Sequence, residues 1–195
     1  MNGINESLFL LINANTTSPV WVLGFASFVS EYLLYTVPLF LIYIWLWGER
    51  REPAVRALFV ALVALGLAQV IGMVYPHPRP FMVPIGHTFI THIPDASFPS
   101  DHATLFFSVS LALVLGREWI FGLSIFLVGL LVAWSRIYLG VHFPFDMVGA
   151  LIVATAGCLI VWSTWHDFGV KLMGLAETLY RYVFSFPISK KWVRH

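Results

Sequence analysis

The chain has 195 residues, 59% of them hydrophobic and only 11% Asp, Glu, Lys or Arg, with a formal net charge of +1. A soluble domain carries about 45–50% apolar and about 25% charged residues, so this chain lacks the charge to cover a water-facing surface. Soluble enzymes and disordered tails are excluded on that ground, and nucleic-acid binders because the net charge offers no basic face to a phosphate backbone. A mean hydropathy of +0.83 leaves an integral membrane protein. The one cysteine, Cys158, lies in an apolar run, so neither a disulfide framework nor a cysteine metal site is expected.

A membrane-crossing helix needs about 20 mostly apolar residues. The length therefore allows five or six crossings with short loops, and makes residues 1–195 a single domain. Residues 1–14 contain no Lys or Arg, so the positive region of a cleavable signal is missing. Residues 4–12 read as a short helix on the outer surface. The first span lies within Val20–Trp47, interrupted by Glu31 and kinked at Pro38. The second covers about residues 57–75, with Gln69 its strongly polar residue and Pro53 suited to the first helical turn. The third covers about 100–116 and the fourth 119–134, joined by the tight turn Gly116-Arg117-Glu118. The fifth covers about 144–165. Residues 168–186 place Lys171, Glu177, Thr178, Arg181 and Ser185 on one helical face and Leu172, Leu175, Leu179 and Val183 opposite. That pattern is an interfacial amphipathic helix, with a sixth span as the alternative. The expected fold is an all-α bundle of five transmembrane helices, or six, ending in an amphipathic tail over 166–195.

Positive charge orients the bundle. Arg50, Arg51 and Arg56 follow the first span, Arg117 follows the third, and Lys171, Arg181, Lys190, Lys191 and Arg194 lie in the tail. The opposite side holds only Arg79 and Arg136. The arginine-rich side is expected to be cytoplasmic, with the N-terminus outside and the C-terminus inside. The outward loops, 76–99 and 135–143, and the helix starts beside them then collect His77, Arg79, His87, His92, Asp95, Ser100, Asp101, His102, Arg136, His142 and Asp146. Five of the seven histidines fall on that face.

Three segments there carry chemistry. In Phe98-Pro99-Ser100-Asp101-His102, a proline and then a serine precede an apolar run, which makes Ser100 a helix N-cap. The same helix start, with free N–H groups and the positive end of the dipole, can also hold an anion, with His102 in its first turn. In Ser135-Arg136-Ile137-Tyr138-Leu139-Gly140-Val141-His142-Phe143-Pro144-Phe145-Asp146, Pro144 opens the fifth span and Asp146 sits four residues after His142. A carboxylate there either complements the helix dipole or accepts from one imidazole nitrogen, leaving the other free as nucleophile or base. In His77-Pro78-Arg79-Pro80-Phe81, two prolines stiffen a segment that presents Arg79, whose guanidinium suits a phosphate or a lipid headgroup.

Together these segments resemble the type 2 phosphatidic acid phosphatase superfamily, whose pattern is Lys-x6-Arg-Pro, Pro-Ser-Gly-His and Ser-Arg-x5-His-x3-Asp. Here Arg79-Pro80, Pro99-Ser100-Asp101-His102 and the complete Ser135-Arg136…His142…Asp146 stand in that order. The pattern's lysine falls on Gly72, and Asp101 replaces the glycine. Both departures resemble the bacitracin-resistance type of undecaprenyl-diphosphate phosphatase. The resemblance implies hydrolysis of the terminal phosphate of undecaprenyl diphosphate at the outer face of the bacterial cytoplasmic membrane. It makes His142 the nucleophile, oriented by Asp146, and His102 the acid for the leaving group and then the base for water. Arg79, Arg136, Ser100 and the helix-start N–H groups hold phosphate oxygens, and no metal or cofactor is implied. The partners implied are the polyprenyl diphosphate and membrane lipids. His77 is an accessory candidate. Asp101 either repels excess negative charge or hydrogen-bonds an arginine or histidine. Glu31 either pairs with an arginine or sits at the interface. The alternatives are a broader phosphatase for phosphatidylglycerophosphate or phosphatidic acid, a metal transporter using His77, His87, His92 and His102, and a serine hydrolase using Ser100 and His102.

Overall fold

The computed structural model describes residues 3–83 and 85–194, and among them the regular structure is helical throughout. A short helix α1 (Gly3–Ile12) precedes α2 (Val20–Tyr32), a single 3-10 turn (Leu33–Tyr35) and α3 (Thr36–Trp47). Then come α4 (Glu52–Val74), α5 (Asp101–Leu115), α6 (Trp119–Tyr138), α7 (Pro144–Val183) and a final turn α8 (Ser185–Ser189). Four segments are long and apolar enough to cross a membrane: Val20–Trp47, Glu52–Val74, Trp119–Tyr138 and Pro144–Val183. The fifth crossing, α5, has 15 residues and lies at the centre of the bundle, where α4, α6 and α7 all pack on it. Enclosure by protein removes the need for a full lipid-matched length.

Small residues let the helices approach. Ala57, Ala61, Ala64 and Ala68 form one buried stripe along α4. Gly157 of α7 faces this stripe so closely that a Cβ there would lie 2.9 Å from that of Ala64. Gly129 of α6 meets Phe106 of α5 in the same way, with 2.7 Å for a Cβ. Between membrane helices, where lipid is as apolar as the interface, such close backbone approach supplies the packing energy.

The first span is bent, and the break falls one turn before the proline expected to kink it. Pro38 occupies the third position of α3, where a missing N–H costs nothing because no intrahelical partner exists there. The irregularity is taken up by Leu33–Tyr35, with Thr36 Oγ1 donating to the Leu33 carbonyl at 2.6 Å. The two halves have different neighbours: α2 packs on α6, and α3 packs on α4.

Two boundaries differ from the sequence reading. Helix α6 runs one turn past Trp134 to Tyr138, so Ser135 and Arg136 are helical rather than in a loop. Helix α7 continues unbroken for 40 residues, so the amphipathic tail is its extension, not a separate helix. At 1.5 Å per residue it is about 60 Å long, twice the hydrocarbon thickness of about 30 Å. No proline interrupts it between Pro144 and Pro187, and the indole of Trp165 fills the space beside Gly169. Aromatic contacts tie this extension to the opposite end of the bundle from the site. Arg51 stacks 4.1 Å from the Tyr180 ring, and Arg56 stacks 4.3 Å from Trp162. Leu175, Leu179 and Val183 remain uncovered by protein. The protein is therefore a multi-pass membrane protein.

At the other end, α1 lies across the end of α6 and the start of α7. Phe9 is fully buried against Phe143, with ring centroids 5.3 Å apart. Asn5 Oδ1 accepts from the Phe145 N–H at 3.0 Å. Asn13 Nδ2 donates to the carbonyls of His87 (2.9 Å) and Tyr138 (3.0 Å), pinning the long loop to α6. Gly140, at φ +82, is needed there: a Cβ would sit 2.1 Å from the His87 carbonyl oxygen.

Candidate active site

The end of α6, the five residues 139–143 with Gly140 and His142, and the start of α7 bring the third motif together. His142 is buried (1% exposed), and its Nδ1 lies 3.1 Å from Asp146 Oδ2. That same oxygen accepts from the Phe143 N–H at 2.8 Å and from Ser97 Oγ–H in a short bond. Asp146 thus caps the N-terminus of α7 and orients the histidine at once, so the two readings of this residue hold together. On the other side of the ring, Arg79 Nη1 lies 2.9 Å from His142 Nε2. A guanidinium has no lone pair to offer, so Nε2 is the acceptor and the proton resides on Nδ1, facing Asp146. The imidazole is held neutral: burial, then the charges of Arg79 and Arg136, push its pKa well below the ordinary histidine value. His92 shifts the same way, first by burial, with the same two arginines adding to it and the hydrogen bond from its Nδ1 to the Ile93 carbonyl partly opposing.

The two arginines are held differently. Arg79 donates from Nε to Asp95 at 2.7 Å, from Nη1 to the Val141 carbonyl at 3.0 Å and from Nη2 to the Ala96 carbonyl at 3.1 Å. Arg136, 4% exposed, donates from Nη1 to Ser30 Oγ at 3.0 Å, while its buried Nε and Nη2 have no partner. A buried guanidinium edge without an acceptor is costly, and an arriving anion would relieve it. The α5 start completes the wall. Ser100 is fully buried as N-cap, its Oγ 3.5 Å from the Ala103 N–H, and its own N–H donates to the Asp146 carbonyl at 3.3 Å. His102, half-buried in the first turn, lies within electrostatic range of Arg136, His142, His92 and Arg79.

The remaining candidates take other places. Asp101 accepts from Gln69 Nε2 at 2.9 Å, not from an arginine or histidine. It shares a pocket of about 200 Å³ with Gln69, Gly72 and Asp95, at the position where the family pattern has lysine. Glu31 is exposed on α2, and Arg136 donates its hydrogen bond to the neighbouring Ser30. His77 stands behind the His–Asp pair, edge-on to Phe143 at 5.8 Å, with its carbonyl accepting from the Ser97 N–H at 2.8 Å. His87 is exposed and serves through its backbone. Among the described residues no three His, Cys, Asp or Glu side chains converge as a metal site would need. Ser30 and Ser97 carry no signal in the sequence, and the role of Asp95 as the anchor of Arg79 is visible only in the structure. The sequence places Asp95 in the outward cluster without a partner, and a lone serine in an apolar span or a loop carries no signal until its partner is known.

A five-crossing helical bundle with a buried His–Asp pair and two arginines at one end defines a class of membrane phosphatases. The PAP2 superfamily model matches residues 53–169, more than half of the chain. The chain belongs to the PAP2 superfamily. It is 38% identical over 196 residues to the putative undecaprenyl-diphosphatase YbjG of Escherichia coli (strain K12), covering 100% of this chain and 99% of that protein. It is 39% identical over 129 residues to the undecaprenyl-diphosphatase BcrC of Bacillus subtilis (strain 168), covering 65% of this chain and 66% of that one. Among solved structures, Aquifex aeolicus LpxE is similar with a TM-score of 0.66 and 25% identity, over 82% of this chain and 95% of that chain. A PAP2-type phosphatidylglycerolphosphate phosphatase from Bacillus subtilis shares the fold, with a TM-score of 0.60 over 83% of this chain and 84% of that one.

Proposed function

We propose that the protein is an undecaprenyl-diphosphate phosphatase that acts through a phosphohistidine on His142. One observation carries the reading: His142 presents an unprotonated Nε2 beside Arg79 and within the charge field of Arg136, while Nδ1–H is tied to Asp146. When the diphosphate enters, Arg79 Nη1 moves from Nε2 to a phosphate oxygen. Nε2 then attacks the terminal phosphorus and the bond to the bridging oxygen breaks. His102 gives its proton to the departing undecaprenyl phosphate. Arg79, Arg136, Ser100 and the first N–H groups of α5 hold the equatorial oxygens, and this preorganised charge supplies the main stabilisation of phosphoryl transfer. Asp146 stabilises the positive charge that develops on the ring. His102, now neutral, takes a proton from water, whose oxygen attacks the phosphohistidine and releases inorganic phosphate. His77, behind Asp146, supports the pair.

The substrate assignment is supported by the two undecaprenyl-diphosphatase relatives, one of them similar along its whole length. The site lies at the end of the bundle opposite Arg50, Arg51, Arg56 and the basic tail, which favours an outward-facing site in a bacterial cytoplasmic membrane. Residues 1–195 act as one domain, because α1 and α2 contribute Asn5 and Ser30 from outside the family-matched segment.

The test is phosphate release by purified protein in detergent, from undecaprenyl diphosphate and from phosphatidylglycerophosphate. Preference for the diphosphate is expected, together with raised bacitracin tolerance on overproduction that Arg136→Ala abolishes. Faster turnover of phosphatidylglycerophosphate with unchanged tolerance assigns the broader lipid phosphatase instead.

A further inference from the structure

The side chain that aims Arg136 comes from the first span. Arg136 is anchored to α6 only through its backbone, and a long side chain on a helix has many rotamers. Its direction is set by the Nη1 bond to Ser30 Oγ at 3.0 Å. Ser30 is 1% exposed, in the interface where α2 packs on α6. The two nitrogens left over, Nε and Nη2, form a single edge of the guanidinium, the edge that receives two oxygens of an anion side by side. We propose that Ser30 is a positioning residue that turns this edge of Arg136 toward the substrate phosphate, so that α2 is part of the active site.

The chemistry of the two arginine anchors supports this division. Arg79 is held by a carboxylate, Asp95, in direct contact at 2.7 Å. Arg136 is held by a neutral hydroxyl, which fixes direction without offsetting charge. The adjacent carboxylate, Glu31, is exposed and leaves that role to Ser30. A guanidinium with a free bidentate edge and no carboxylate in direct contact suits a dianionic terminal phosphate.

This inference rests on Arg136 holding phosphate, and a double-mutant cycle tests both. Ser30→Ala, Ser30→Thr, Arg136→Ala and the Ser30→Ala/Arg136→Ala pair are purified as full chains in detergent. Orthovanadate inhibition, KM, kcat and melting temperature are measured for each. Ser30→Ala is expected to weaken vanadate inhibition and lower kcat/KM by about tenfold, the scale of one hydrogen bond to a charged group. Ser30→Thr, which keeps the hydroxyl, retains most of both. In the Arg136→Ala background, Ser30→Ala has no further effect. A Ser30→Ala loss that persists undiminished in that background, or an unchanged vanadate affinity, overturns the proposal. So does an Arg136→Ala variant that binds vanadate normally. Should Ser30→Ala fail to fold, Ser30→Thr and Ser30→Cys carry the comparison, with the thiol expected to behave like the alanine in vanadate affinity at a wild-type melting temperature. If phosphatidylglycerophosphate proves the better substrate, the substrate assignment fails while the vanadate cycle still decides the role of Ser30.

Discussion

Replacing Asp146 by asparagine separates charge from geometry at the nucleophile. All three donors at this residue, His142 Nδ1, the Phe143 N–H and Ser97 Oγ, converge on one oxygen, Oδ2. An asparagine oxygen placed there accepts all three, so the proton stays on Nδ1 and Nε2 keeps its lone pair. Only the negative charge is lost. A hydrogen bond to a charged partner is worth about 1.5–3 kcal/mol against about 0.5–1.5 kcal/mol for a neutral one. The difference of about 1–2 kcal/mol is felt as the ring becomes cationic in the transition state, and it slows kcat by about 5- to 30-fold. Alanine acts otherwise. It strands the Phe143 N–H and the Ser97 hydroxyl, each at about 1–3 kcal/mol of stability, and leaves Arg79 alone to keep the proton off Nε2, a hold that ends when Arg79 turns to the phosphate. A mis-set tautomer costs on the order of 10⁴-fold in a histidine enzyme. Initial rates of phosphate release in detergent, normalised to folded protein by melting curves, distinguish the two variants. An asparagine variant as inactive as the alanine variant would show that the tautomer is not set by Oδ2 and would refute this account of the pair.

Two further outcomes follow from burial and charge asymmetry. Because the folded protein holds His142 neutral below the ordinary histidine pKa of 6.5, the acid limb of kcat/KM falls below pH 6.5. The unfolded chain protonates this ring and the folded chain does not, so stability declines as pH drops below 6.5 and is recovered above it. Melting curves against pH check the sign, and His142→Gln flattens the slope. In a Cys158→Ser background, a cysteine at Ile85 is labelled by an impermeant thiol reagent from outside and one at Lys190 only from inside. Labelling of Ile85→Cys from the cytoplasmic side alone refutes the outward site.

Composition and local pattern settle those properties of this chain that depend on residues close in sequence. Long apolar runs must become helices in lipid, because no water is there to satisfy their backbone groups, so the spans and the all-helical class follow directly. Pro144, His142 and Asp146 lie within a few residues of one another, and a cap and an i,i+4 contact are local, so the His–Asp pair was readable. Ser100 as an N-cap was readable for the same reason. What required the tertiary structure is whatever joins distant segments. Ser30 meets Arg136 across 106 positions, and Ser97 reaches Asp146 across 49. Asp95, not a residue of the motif, pins Arg79, and Gln69 claims Asp101. The helix extensions past Trp134 and Trp165 were likewise invisible. An apolar period stops where lipid stops, but a helix stops only where its backbone finds other partners. At Arg136 the neighbouring α2 supplies the Ser30 hydroxyl, and at Trp165 the start of α4 supplies Glu52, which accepts from the indole N–H, so each extension is packed rather than bare.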